Sequence, residues 1–168
     1  GSKALEDNYP NSDAAVIKKL KDAGAIIIAT TNMSEFAFMA GNSYSSYGQV
    51  LNAYNPLYSP YGSSGGSAVS VAASFGAAAL GTDTNSSVRV PASAANLVGI
   101  RPTVGLLSST GVIPYDITRD TVGVLSKTVS DNALILSVID GTDKTYNTSN
   151  TSLAGKKIGI VNSFLKGS

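Results

Sequence analysis

The sequence predicts a layered α/β fold, and three observations carry that prediction. Two apolar runs, residues 25–29 and 78–81, are continuous rather than alternating, the pattern of strands covered on both faces. Each follows a helix-compatible segment, residues 13–23 and 66–77, so helix and strand alternate along the chain. Hydrophobic residues make up 43% of the 168 residues and charged ones only 14%, which suits elements buried on several sides and excludes a disordered polymer.

Taken in order, Asp13 stands where a helix cap is expected. Val16, Ile17, Leu20 and Ala23 then recur at helical spacing up to Gly24. The apolar run 25–29 reads as a buried strand, with residues 31–35 at its carboxyl end, where open α/β sheets place ligands. Residues 41–66 are rich in Gly, Ser, Asn, Tyr and Pro. Tyr44, Tyr47, Tyr54, Tyr58 and Tyr61 mark them as an ordered loop that borders a substrate entrance or packs itself down, not a tether. The strand 78–81 ends in Thr82-Asp83-Thr84, and a third unit, 96–109, is centred on Val98, Gly99 and Ile100. A strand follows over 122–125, then a helix from Ser130 as cap to Ile139, stopped by Gly141. Residues 143–152 read as an exposed loop and 156–161 as a further strand.

Composition excludes several function classes. Twelve Lys and Arg against eleven Asp and Glu give a formal charge of +1, and the KKLK run at 18–21 falls on a solvated helix face, so nucleic acid and anionic membranes are not expected partners. The chain has no cysteine and no histidine, which removes thiol nucleophiles, Ser-His-Asp catalysis and His-based zinc sites. The longest apolar stretch, 68–80, is interrupted by Ser70, Ser74 and Gly76 and falls short of the roughly 20 residues of a membrane span. No apolar signal-peptide core is visible at the start, so a cytoplasmic location is expected. The start, without Met, reads as lying inside a longer protein.

Two loops carry residues suited to chemistry: Gly62-Ser63-Ser64-Gly65-Gly66-Ser67, before a helix, and residues 81–91 (GTDTNSSVRVP), after a strand. Small residues let backbone approach a ligand closely, and successive N–H groups can face a developing negative charge. Taken alone, the first loop is an ordinary Gly/Ser turn, and it lacks the Gly-Lys-Ser/Thr ending of a phosphate loop. In the second, Asp83 and Arg89 flank a serine pair, an ion pair that could brace the loop.

These motifs, followed by LVGIRPTVGLLS and DTVGVLSKTVSDNALIL and preceded by DAAVIKKLKDAGAIIIATTNMSEFA, closely resemble the amidase signature family in the family's order. The resemblance implies a three-layer α/β/α fold with a mixed central sheet, residues 1–168 forming the central part of a single such domain. It implies cleavage of a small-molecule or peptide carboxamide through an acyl-enzyme, with no metal and no cofactor. The catalytic group would be a Ser–cis-Ser–Lys triad. Ser87 matches the nucleophile and Ser63, 24 residues earlier, the bridging serine on a cis peptide. The backbone N–H groups of Thr84, Asn85, Ser86 and Ser87 match the oxyanion hole, and Ser64, Asp83 and Arg89 the supporting shell. Met33 and Phe36 resemble substrate-lining residues, while Phe36 and Phe38 by themselves read as core packing. Without histidine, a desolvated neutral lysine is a sensible base for a serine.

Two departures stand out. Asn85-Ser86 replace the usual Gly-Gly, and Asn85 either narrows the site or adds a donor, or merely tolerates a left-handed backbone there. The family's lysine belongs upstream of the stretch that residues 1–10 resemble, and Lys3 is beyond that position. The 168-residue chain alone is therefore expected to have negligible amidase activity, its base coming from the rest of its own polypeptide. Two alternatives share the resemblance: the glutaminase component of a tRNA-dependent amidotransferase, which needs partner proteins, and a non-catalytic module that keeps the fold.

Overall fold

The computed structural model describes residues 1–142, 144–146, 148–149 and 152–162. In chain order its elements are a 3-10 turn (Lys3–Leu5), helix α1 (Ala15–Asp22), a second 3-10 turn (Glu35–Ala37) and a short hairpin of β1 (Tyr44–Ser45) and β2 (Gly48–Gln49). Then come α2 (Gly65–Ala72), β3 (Ala78–Asp83), α3 (Arg89–Ala94), β4 (Val98–Ile100), β5 (Thr121–Ser126) and α4 (Val129–Asp140). Three strands form the central sheet in the order β3-β5-β4, with both pairings antiparallel. No parallel pair of the expected mixed sheet occurs among the described residues.

Side chains alternate across β5, and so the core divides in two. Val122 and Val124 pack with Val16 and Leu20 of α1, Leu107, and Leu136 and Ile139 of α4. Leu125 enters a second cluster on the other face with Ala68 of α2, Val88, Ala92 of α3 and Ala95. Fully buried side chains such as Leu125 and Ile139 each contribute about 1.5–3 kcal/mol. Helices thus lie on both faces of the described sheet.

Gly81 and Gly123 face each other across β3 and β5, and their lack of side chains lets the serine loops lie directly on the sheet. A Cβ on Gly81 would stand 2.5 Å from Ser64 Oγ and 3.0 Å from Val88 Cγ2. Gly81→Ala should therefore destabilise the protein by about 1–3 kcal/mol through overpacking, read as a lower urea midpoint.

Several expectations need correction. Residues 25–29 form no strand and are exposed, Ile26 at 86%, and residues 156–161 likewise form none, with Ile158 and Ile160 exposed. A strand exists only with a partner ladder, and no described segment offers one to either run. Asp13 does not cap α1. Its carboxylate accepts from Lys21 Nζ at 2.7 Å, and the first helical N–H, that of Ala15, donates to the Thr110 carbonyl. The KKLK run is only partly solvated, because Lys19 Nζ donates to the carbonyls of Ile139 and Asp140 and closes the C-terminus of α4. Thr128, not Ser130, caps α4, its Oγ1 accepting from Asp131 N–H at 3.1 Å, while Gly141 ends the helix at φ 67° as expected. Helix α2 stops at Ala72, short of the expected residue 77. The expected loop 143–152 lies partly outside the described residues.

Candidate active site

The two serine loops meet at the β3 end of the sheet. Gly62-Ser63 is a cis peptide, Ser63 is fully buried, and its Oγ has no hydrogen-bond partner among the described residues. Ser64 N–H donates to the Ser87 carbonyl at 3.1 Å, which joins the loops, and Ser64 Oγ donates to the Thr82 carbonyl at 3.4 Å. Ser87 itself is 9% exposed. Helical bonding begins at once after it: Val90 N–H donates to the Ser86 carbonyl and Ala92 N–H to that of Val88. The N–H groups of Thr84, Asn85, Ser86 and Ser87 find no acceptor among the described residues, so they stay available to a ligand. Helix α3 was not read in the sequence, although Pro91 in its first turn is a signal for one.

Asp83, the last residue of β3, organises this loop. Its Oδ2 accepts from Val88 N–H (3.1 Å), Arg89 N–H (3.3 Å) and Arg89 Nε (3.1 Å), and Oδ1 accepts from Arg89 Nη2 (3.1 Å). Arg101 Nε lies 3.4 Å from Oδ1, near enough for ion pairing but not aligned as a hydrogen bond. Burial pushes the Asp83 carboxyl up, but the Arg89 side chain and the Val88 and Arg89 N–H groups outweigh it and hold it below the ordinary value. The same bond to Asp83 raises Arg89, and Arg89 Nη2 also donates to the Asn85 carbonyl.

Residues the sequence reading passed over complete the site. Ser34 and Ser43 are fully buried. Ser34 N–H donates to the Ser63 carbonyl at 3.1 Å, Ser43 Oγ shares its single proton between the carbonyls of Tyr61 (2.8 Å) and Ser63 (3.2 Å), and Ser43 Oγ accepts from Gly65 N–H at 3.0 Å. Their only signal in the sequence is position, Ser34 within the loop after residues 25–29. Asp120, just before β5, takes Thr84 Oγ1 at 2.5 Å on Oδ1, and the N–H groups of Tyr115 and Asp116 on Oδ2. Met33 is half-buried next to Ser34, and its N–H donates to Asn32 Oδ1 at 2.9 Å. Phe36 and Phe38 are exposed, Phe38 at 78%, which corrects their reading as core, and the Phe38 ring lies 6.4 Å from that of Tyr115. The five tyrosines of 41–66 are exposed too. That loop is ordered by Asn52, which accepts from Tyr54 N–H, and by Ser59, which donates to the Gly41 carbonyl. No helix among the described residues is long and apolar enough to cross a membrane.

Known proteins are similar to this chain in sequence and fold. The peptide amidase of Stenotrophomonas maltophilia superposes with a TM-score of 0.78 at 42% identity, over 85% of this chain and 30% of its own. An amidase family protein of Bacillus anthracis does so at 0.79 and 40%, over 84% and 29%. A glutamyl-tRNA(Gln) amidotransferase subunit of Salinibacter ruber is 47% identical over 149 residues, 89% of this chain and 29% of the relative. The chain therefore spans less than a third of the length of each of these three proteins. The family described as Amidase matches residues 1–166, and the chain belongs to it.

Proposed function

We propose that this chain is the serine-bearing part of a longer enzyme that hydrolyses a carboxamide C–N bond. Ser87 Oγ attacks the carbonyl carbon and its proton passes through Ser63 Oγ to a lysine supplied by the rest of the polypeptide. The tetrahedral oxyanion rests on the N–H groups of Thr84, Asn85, Ser86 and Ser87, the C–N bond breaks, and the amine leaves with the relayed proton. Water then hydrolyses the Ser87 ester by the reverse relay. Ser64, Asp83 and Arg89 hold the loop, and Met33 borders the substrate.

The observation that carries this reading is Ser63, whose buried Oγ has no partner among the described residues although its own carbonyl accepts from Ser34 N–H. A buried hydroxyl of that kind costs about 1–3 kcal/mol unless something pairs with it, and a lysine is a fitting partner. A small-molecule or peptide amide is the favoured substrate, since a side chain at Asn85 fills space that Gly-Gly leaves open. Glutamine hydrolysis within an amidotransferase is the second reading, supported by the 47% identical amidotransferase relative. A serine-directed phosphonate on the full-length protein should modify Ser87 alone, seen by peptide mass spectrometry. A well-folded protein that takes no label at Ser87 refutes the assignment and favours a non-catalytic module.

A further inference from the structure

Asn85 stands where small residues would leave the nucleophile loop bare, and the structure gives its side chain a partner. Arg119 Nη1 donates to Asn85 Oδ1 at 3.0 Å. A guanidinium only donates, so the amide must turn its oxygen to Arg119 and its Nδ2 away, with two N–H donors that no described residue accepts. Arg119 is itself held: its Nε donates to Asp116 Oδ2 at 2.7 Å, and its carbonyl accepts from Arg101 Nη2 at 2.6 Å. Asp116 N–H donates to Asp120, which also takes Thr84 Oγ1, so the Arg119 loop is tied to the loop it serves. At its backbone, Asn85 is gripped by Arg89.

We infer that Asn85 is a specificity-determining residue of the amide site, positioned by Arg119, and that it selects substrates whose acyl group carries a hydrogen-bond acceptor beside the scissile carbonyl. The inference deepens the amidase reading of Ser87 and rests on it. Ser87 is two residues on, its Cα at most about 7 Å from that of Asn85, a separation that a substrate's acyl group can bridge from the scissile carbon to the exposed Asn85 amide. The carbonyl oxygen itself belongs to the backbone N–H groups. Because both grips are formed before substrate arrives, little rotamer freedom remains to be lost on binding. A charged donor at Oδ1 also strengthens the opposite N–H donors.

The test uses the full-length protein with N-acetyl-leucinamide and the matching amide whose acetamido group is replaced by n-propyl. Wild type should prefer the first, and Asn85→Gly should reduce the kcat/KM ratio by about 3- to 10-fold, the worth of one neutral hydrogen bond. Arg119→Ala should reduce the ratio similarly, and the double variant no further, because the two act as one unit. A merely structural role lowers both substrates together and leaves the ratio unmoved, which overturns the inference. So do independent, additive effects of the two substitutions. Calorimetric binding of the same pair to Ser87→Ala, with and without Asn85→Gly, decides the matter apart from turnover. Binding preference that depends on Asn85 without hydrolysis by wild type sinks the Ser87 reading and with it the catalytic part of this inference, sustaining only ligand selection by Asn85, while absent or unselective binding overturns that selection itself.

Discussion

Ser87→Ala in the full-length protein is expected to lower kcat for a carboxamide on the order of 10⁴-fold or more, since loss of a nucleophile removes the acyl-enzyme route entirely. Ser63→Ala should cost about 10²–10⁴-fold, the scale of a lost proton relay. Initial rates of ammonia or amine release measure both. The order matters, because Ser63 sits beneath the loop with its carbonyl held by Ser34 and Ser43, and only its Oγ is left for chemistry. Turnover that survives Ser87→Ala means that another group attacks. The relay would then lose its rationale, because Ser64 N–H ties the Ser63 loop to the Ser87 carbonyl and to no other candidate.

The second large effect is on stability. Asp83→Asn keeps the shape but leaves Arg89 and Arg101 without a counter-charge around a fully buried atom pair. Breaking a buried pair on one side costs about 3–5 kcal/mol, and the half-exposed Arg89 guanidinium puts the expected loss near 3 kcal/mol. Urea denaturation at pH 7 gives the value. Its pH dependence has a defined sign. The Asp83 pKa is lowered in the folded state, so its contribution is complete above the unfolded value of about 3.9 and is lost as pH falls through the folded one. The stability gap between wild type and Asp83→Asn should therefore be constant from about pH 5 to 7 and narrow progressively below about pH 4. A gap that stays constant as pH falls below about 4 means that Asp83 acts by shape, not charge.

Several helices and strands with internal partners were legible in the residues, although α3 and the β1–β2 hairpin were not. Helix α1 follows from Val16, Ile17 and Leu20, α4 from the apolar run ended by Gly141, and β5 from 122–125, because each buries a face against neighbours inside the chain. The runs at 25–29 and 156–161 carry the same apolar signal and form no strand, because pairing depends on a partner that periodicity does not register. The α1 cap was misplaced by one residue because a tertiary group, the Thr110 carbonyl, takes the Ala15 N–H, and the α4 cap was misplaced by two because Thr128, not Ser130, accepts from Asp131 N–H.

At the serine pair, the sequence by itself determined which residues are present: Ser63 and Ser87 in small-residue loops, Asp83 and Arg89 around the second, and no histidine to compete. Their chemistry follows from side-chain type, which is local. Tertiary structure decided what each serine faces. It packed the loops onto Gly81 and Gly123, buried Ser63 with Oγ unpartnered, and set Arg119 against Asn85 from 34 residues away. Those outcomes depend on close approach between distant segments, and a single chain of letters does not encode distance.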